Sequence, residues 1–257
     1  MKKRNLIPAI AGAVLLIAGI VLVAMTRSQA IIKEAPVSSK MPFALSLIAA
    51  LIGLVMIIAS LLPERKPADT RTLAMAALFA ALCYIGFTYF RIDIPVGTEK
   101  TAFHLGNVFC VLAALFLGGM WGGMAGAVGM TLADLTTAYV TSAPKTFLLK
   151  LCIGLIAGAV AHKVFHISKD GSRKVPLPVA TVLSCAAGMA FNIVFDPLVG
   201  YFYKMYLMGV PQEFAKVWAK MGAVTTFVNA VVAIICASVF YLALRPALKK
   251  ANLLPQV

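Results

Sequence analysis

From His104 to Tyr139 the chain reads HLGNVFCVLAALFLGGMWGGMAGAVGMTLADLTTAY. Two apolar runs, approximately His104–Leu117 and Gly122–Tyr139, are split by Gly118-Gly119-Met120-Trp121-Gly122-Gly123. Four glycines in six residues make a connection too tight for anything but a hairpin of two helices. Neither run carries a charge before Asp134. Helices that are apolar all round are buried in protein or lipid, so this hairpin predicts a membrane protein built of packed helices.

The rest of the 257 residues agrees. Hydrophobic residues make up 61% and charged residues 12%, against roughly 45–50% and roughly 25% in soluble domains. Cys83, Cys110, Cys152, Cys185 and Cys236 stand singly in apolar runs and read as small buried hydrophobes, without the spacing of a disulfide framework or a metal site. Six further apolar segments flank the central pair: Leu6–Met25 behind Met1-Lys2-Lys3-Arg4, Pro42–Leu62, Thr72–Phe90, Pro144–Ala161, Leu177–Leu207 and Phe214–Leu244. The first has an apolar core of about 20 residues against the 7–15 of a secretory signal, and reads as a retained helix. The polar stretch Glu64-Arg65-Lys66-Pro67-Ala68-Asp69 is the best boundary. The fold expected is an all-α integral membrane protein: a six-helix bundle over 71–257, preceded over 1–70 by two extra transmembrane helices and a linker.

A formal net charge of +14 raises the question of nucleic acid, but the basic residues sit mainly in short loops. With eight spans both termini share a side. That side carries Lys2, Lys3, Arg4, Arg65, Lys66, Arg71, Lys163, Lys169, Arg173, Lys174, Arg245, Lys249 and Lys250. The other carries Arg27, Lys33, Lys40, Arg91, Lys100, Lys145, Lys204, Lys216 and Lys220. Short loops rich in Lys and Arg mark the cytoplasm, so both termini are expected inside.

In this frame the polar residues of the spans gather at the outer end. His104 and Asn107 open the fourth span, Asp134 lies in the outer half of the fifth and Lys150 in the outer third of the sixth. Asn192 and Asp196 lie in the outer half of the seventh, and Asn229 near mid-depth in the eighth. Polar groups at membrane depth face a bundle interior or a wet cavity, and five helices offering them at similar depth predict one substrate pocket open to the outside. Counted from Ala143 at about 1.5 Å per residue, Asp134 and Lys150 are at comparable depth and able to pair. Asn192 and Asp196 share a helix face, and Pro197 frees the carbonyl of Ile193. Each feature has a plainer reading: a structural ion pair for Asp134 and Lys150, interhelical hydrogen bonds for Asn192 and Asn229, an interfacial position for His104. His162 and His166, in the inner loop, are not read as a metal site. There is no GxxxxGK[ST] loop for ATP and no HExxH. Small residues line faces of several spans, among them Ala74, Ala77 and Ala81, with Ala76 and Ala80 alongside.

From roughly Arg71 to Leu244 the chain resembles the S components, the substrate-binding subunits, of energy-coupling-factor (ECF) vitamin transporters. The matching stretches are Ala74-Met75-Ala76-Ala77-Leu78-Phe79-Ala80-Ala81, Ile94-Pro95-Val96-Gly97, Phe103-His104-Leu105-Gly106-Asn107, Leu117-Gly118-Gly119, Gly126-Ala127-Val128-Gly129, Leu132-Ala133-Asp134 and Ala143-Pro144-Lys145-Thr146-Phe147 with Lys150. The resemblance implies six helices that hold a water-soluble vitamin near the outer face of a bacterial-type cell membrane, under the loop after the first core helix. It implies a contact with a membrane-embedded coupling subunit through Ala77 and Ala81, or Ala76 and Ala80, and two separate ATPase subunits, so that this chain needs no cofactor. The region around His104 and Asn107 is similar to members handling riboflavin-, pyrimidine- or pyridoxine-like molecules. Two readings of other classes stand beside it: an intramembrane enzyme using Asp134 and Lys150 as acid and base, and a helix-bundle adaptor without a ligand.

Overall fold

The structure, a computed structural model, describes residues 3–31, 42, 45–46, 49–50, 53, 69–97, 99–168 and 175–254. Its elements are α1 (Lys3–Ile31), α2 (Thr70–Thr88), β1 (Arg91–Val96), β2 (Glu99–His104), α3 (Gly106–Leu135), α4 (Ala143–Ala159), α5 (Leu177–Phe202) and α6 (Gln212–Lys250). A 3₁₀ turn, Val140–Ser142, leads into α4, and π-helical turns at Val160–Val164 and Tyr203–Leu207 extend α4 and α5.

The element α3 is the predicted hairpin. Its regular hydrogen bonding is broken at Gly118, which has φ 78° and ψ 175°, a backbone that a side chain would strain. The arms 106–117 and 119–135 fold back on each other, with Gly122 against Ala114 and Gly126 against Cys110. The elbow needs only Gly118, so the second arm starts at Gly119, three residues earlier than the glycine run implied. The first arm, 12 residues and about 18 Å, is shorter than a bilayer core of about 30 Å. It is tolerated because nearly all of it is buried and packed by its neighbours, so its ends need not meet lipid.

Five stretches are long and apolar enough to cross a membrane: Thr70–Thr88, Gly106–Leu135, Val140–Val164, Leu177–Leu207 and Gln212–Lys250. With the second folded at Gly118, they supply the six core helices, and the chain is an all-α multi-pass membrane protein. Much of the predicted second span, Pro42–Leu62, and the linker before Asp69 lie outside the described residues, as do Lys169, Arg173 and Lys174. Where it is described, that second span meets α1 closely: a Cβ on Gly19 would fall within 2.7 Å of Ala50, and one on Gly53 within 2.5 Å of the Gly12 carbonyl. Val23 of α1 packs on Tyr203 and Met208 beside α5. Asp69 caps α2 by accepting from the Thr72 amide at 2.8 Å.

Near the elbow the helices approach backbone to backbone. A Cβ on Gly154 would lie 2.2 Å from Gly123 Cα, and one on Gly158 2.2 Å from the Gly119 amide. These contacts place α4 flat against the second arm of α3. The core between them is apolar, with Cys83, Cys110, Ile153, Ala157, Met189 and Ala233 fully buried. At the same end His162 Nε2 donates to the Ala114 carbonyl at 3.2 Å and Nδ1 accepts from Ser168 at 2.5 Å, which ties the elbow to the end of α4.

The opposite end departs from expectation. Residues 91–104 are an antiparallel hairpin, paired from Arg91 opposite His104 to Val96 opposite Glu99, where a loop was expected. Gly97 turns it with φ 62°, and a Cβ there would lie 2.4 Å from the Phe214 ring. His104 therefore ends a strand and does not open a span.

The burial of α2 sorts its alanines. Thr72, Ala76, Phe79 and Cys83 face the bundle, while Ala74, Ala77 and Ala81 are exposed. Ala76 is 7% exposed, and the Ala80 backbone closes on Gly129. Ala76 is buried and Ala80 half-buried, whereas both members of the pair Ala77 and Ala81 are exposed.

Candidate functional site

The predicted polar residues converge at the hairpin end. Asp134, near the end of α3, is 2% exposed. Its Oδ2 accepts from Thr146 Oγ1 at 2.5 Å. The α4 helix runs away from this point and α5 returns antiparallel, so their polar residues meet in reversed order. Lys145 Nζ reaches Asp196 Oδ1 at 2.6 Å, and one turn deeper Lys150 Nζ lies 3.5 Å from Asn192 Oδ1. Thr226 of α6 donates to the second oxygen of Asp196 at 2.8 Å. Four helices thus share one connected cluster.

The pairing differs from the expectation in one respect. Asp134 and Lys150 do not form an ion pair: Asp134 is held by Thr146, and Lys150 faces Asn192. The ion pair of the cluster belongs to Lys145, which the sequence had placed among loop charges. Pro144 starts α4 and puts Lys145 in its first turn, already inside the protein and 7% exposed. Lys150 is 6% exposed, its side chain facing Asn192, and among the described residues it forms no ion pair.

Asn229 has a different task. Its Oδ1 accepts from the His104 amide at 3.0 Å and its Nδ2 donates to the Ala102 carbonyl at 3.0 Å. The side chain thereby serves the free edge of β2 as a neighbouring strand would and docks the hairpin on α6. Thr101 and Thr225 bond at 2.8 Å, and Lys204 pairs with Glu99 at the hairpin tip. Lys204 also lies 4.5 Å from the Trp218 ring centroid, with Lys145 at 5.3 Å on the same ring. The hairpin covers the cluster, and its latches run into it.

His104 and Asn107 lie beneath the base of the hairpin. The His104 ring packs edge-on against Phe87 at 4.7 Å. Burial, with the field of Lys150 next, pushes the imidazole down to about 3, so the ring is neutral. His104 Nδ1, Asn107 Oδ1, Thr131 Oγ1 and Trp218 Nε1 are buried with no partner, atoms of the kind a ligand or water satisfies. Among the described residues no three His, Cys, Asp or Glu side chains gather as a metal site would require.

Lys145, Thr146, Thr226, Trp218 and Arg91 were missed. Thr226 was within reach of the sequence, since it stands three residues before Asn229 on one helix face. Trp218 and Lys204 carried no local signal, because their partners come from other elements.

A polar, charge-paired cluster at one end of a membrane helix bundle, covered by a docked hairpin, defines a substrate-binding membrane protein. Comparison with protein families gives the particular one: ECF-type riboflavin transporter, S component, matches residues 68–246, and the chain belongs to this family. The match spans the six core helices and leaves α1 outside. Members are substrate-binding subunits of vitamin transporters, not enzymes, as the resemblance implied. Neither the curated proteins nor the solved structures contain a match to the chain.

Proposed function

We infer that the chain captures a water-soluble vitamin or vitamin precursor, a riboflavin-, pyrimidine- or pyridoxine-like heterocycle, at the outer face of a bacterial plasma membrane. The observation that carries this reading is the buried Lys150, without a counter-charge and beside Asn192, under a hairpin latched by Asn229. In this reading His104, Asn107, Asp134, Lys150, Asn192 and Asp196 contact the ligand, and Asn229 acts through the hairpin. Both termini are cytoplasmic. The outward alanines Ala77 and Ala81 meet a membrane-embedded coupling subunit, and two ATPase subunits supply the energy.

The test is direct titration of the purified chain in detergent with riboflavin, pyridoxine and the aminopyrimidine alcohol of thiamine, together with identification of any copurifying small molecule. Submicromolar binding of one of them, lost in Lys150→Ala, supports the reading. Absence of binding by all three, and of any copurifying heterocycle, overturns it.

A further inference from the structure

The helix α1 lies outside the stretch that matches the family, 68–246, yet it packs along one stripe. Gly12 and Gly19 are buried and Leu16 and Val23 half-buried, at spacings of three and four residues that share a helix face. Ile10, Val14, Ile17, Val21 and Met25 stay exposed. The stripe has two partners. Nearer its start it meets the second span backbone to backbone. A Cβ on Gly53 would fall 2.5 Å from the Gly12 carbonyl and the Leu16 amide, and one on Gly19 2.5 Å from the Ala50 amide. Backbone contact of this kind holds two helices together. Further along, Val23 packs on Tyr203 and Met208. Among the described residues of α1, Val23 alone joins a buried apolar cluster of the core.

Tyr203 and Met208 bracket the π-helical turn at the end of α5. The Met208 amide donates to the Tyr203 carbonyl at 3.2 Å and the Val210 amide to the Lys204 carbonyl at 3.0 Å. Gly209 then turns the chain with φ 64°. Such π turns are rare and recur at functional sites. Tyr203 and Met208 are both buried, and the Tyr203 hydroxyl donates to the Thr141 carbonyl at 2.7 Å, which ties the turn to the approach of α4. Between them stands Lys204, whose ammonium pairs with Glu99 at the hairpin tip and lies 4.5 Å from the Trp218 ring centroid. One turn therefore carries the contact with α1 and, on the neighbouring residue, the latch of the hairpin.

We propose that α1 is a brace for the hairpin. Val23 presses on Tyr203 and Met208, this fixes the turn that carries Lys204, and Lys204 holds Glu99 so that the hairpin stays shut over the polar cluster. Val23, Tyr203 and Met208 are positioning residues that act through Lys204. The brace lowers the frequency with which the hairpin opens, and with it the exchange of a guest in the cluster. That consequence for a guest rests on the reading of the chain as a vitamin-binding subunit. The contact and the hairpin motion do not.

The full chain in detergent, with no ligand added, is followed by amide hydrogen exchange over 99–104 and, for reference, over 147–157 in α4. Val23→Ala trims the contact without adding bulk or charge. Exchange over 99–104 is expected to accelerate at least about threefold, the scale of two half-buried methyl groups, with 147–157 unchanged. Lys204→Met cuts the latch but keeps an apolar stem, and should accelerate 99–104 at least about tenfold, the range for a bond to a charged group. Adding Val23→Ala to Lys204→Met should change nothing further, because the brace then has no latch to act through. Unchanged exchange over 99–104 in either single variant overturns the brace. Equal acceleration by Val23→Ala in the Lys204→Met background, or over 147–157 as well, also overturns it and makes the contact ordinary packing. No arm uses a ligand, so failure of the brace leaves the vitamin-binding reading in place, and failure of vitamin binding leaves the brace.

Discussion

The two ends of the core bundle are held together by opposite means. At the elbow end Gly118, Gly119, Gly123, Gly154 and Gly158 bring backbones into contact, with one buried cation, Arg245, donating to the Ile167 carbonyl at 3.1 Å. At the hairpin end Lys145, Asp196, Lys150, Asn192, Asp134 and Thr146 sit between the same helices and are joined by hydrogen bonds. Close backbone packing fixes the helices without spending polar groups. Polar groups at membrane depth are costly unless paired, and they are concentrated where a polar guest would complete the pairing. The difference separates a rigid foot from a chemical head.

The largest expected effect is at the foot. Gly154→Val places a branched side chain where a Cβ alone would sit 2.2 Å from Gly123 Cα. The clash is with backbone and has no easy relief, so the variant should lose about 3 kcal/mol or more, the upper end for overpacking. Thermal unfolding of the detergent-solubilised protein measures it. A melting temperature near that of the unmodified chain would mean the elbow end is loosely packed.

At the head, Lys150→Ala should weaken ligand binding roughly 10- to 150-fold. Adding Asp134→Asn should not restore affinity, because Asp134 is held by Thr146 and not by Lys150. A double variant that binds like the unmodified chain would make the two residues a structural pair and remove both from the site.

Asn229→Ala deletes two hydrogen bonds to β2 and should loosen the docked hairpin by about 1–2 kcal/mol with little change in bundle unfolding. Amide exchange over residues 99–104 should accelerate. If protection there is unchanged, the amide is not the latch.

The smallest effect on the fold is expected outside both ends. Ala77→Trp lies on the exposed face of α2 and should change stability by no more than about 0.5 kcal/mol, with ligand binding intact. Vitamin uptake by cells should nevertheless be abolished, because the ring keeps a partner helix away. Normal uptake would show that this face meets only lipid.

The sequence alone determined that the chain lives in lipid, that a glycine elbow folds its centre into a helical hairpin, and that polar groups collect toward one end. Each of these follows from local rules: hydrophobic length, the freedom of glycine, and position along a helix of known rise. It also carried the family, through short motifs in order. Tertiary structure decided which residues meet. Lys145 pairs with Asp196, and Lys150 faces Asn192, because α4 and α5 run antiparallel at one offset and rotation; a shift of one residue, about 100° around either helix, would choose other partners. The same holds for Ala76 and Ala77, neighbours in sequence of which one is buried and the other exposed, and for residues 91–104, which become a hairpin with Asn229 completing the edge of β2. Rotation and offset come from packing summed over the whole bundle, which no single stretch of sequence contains.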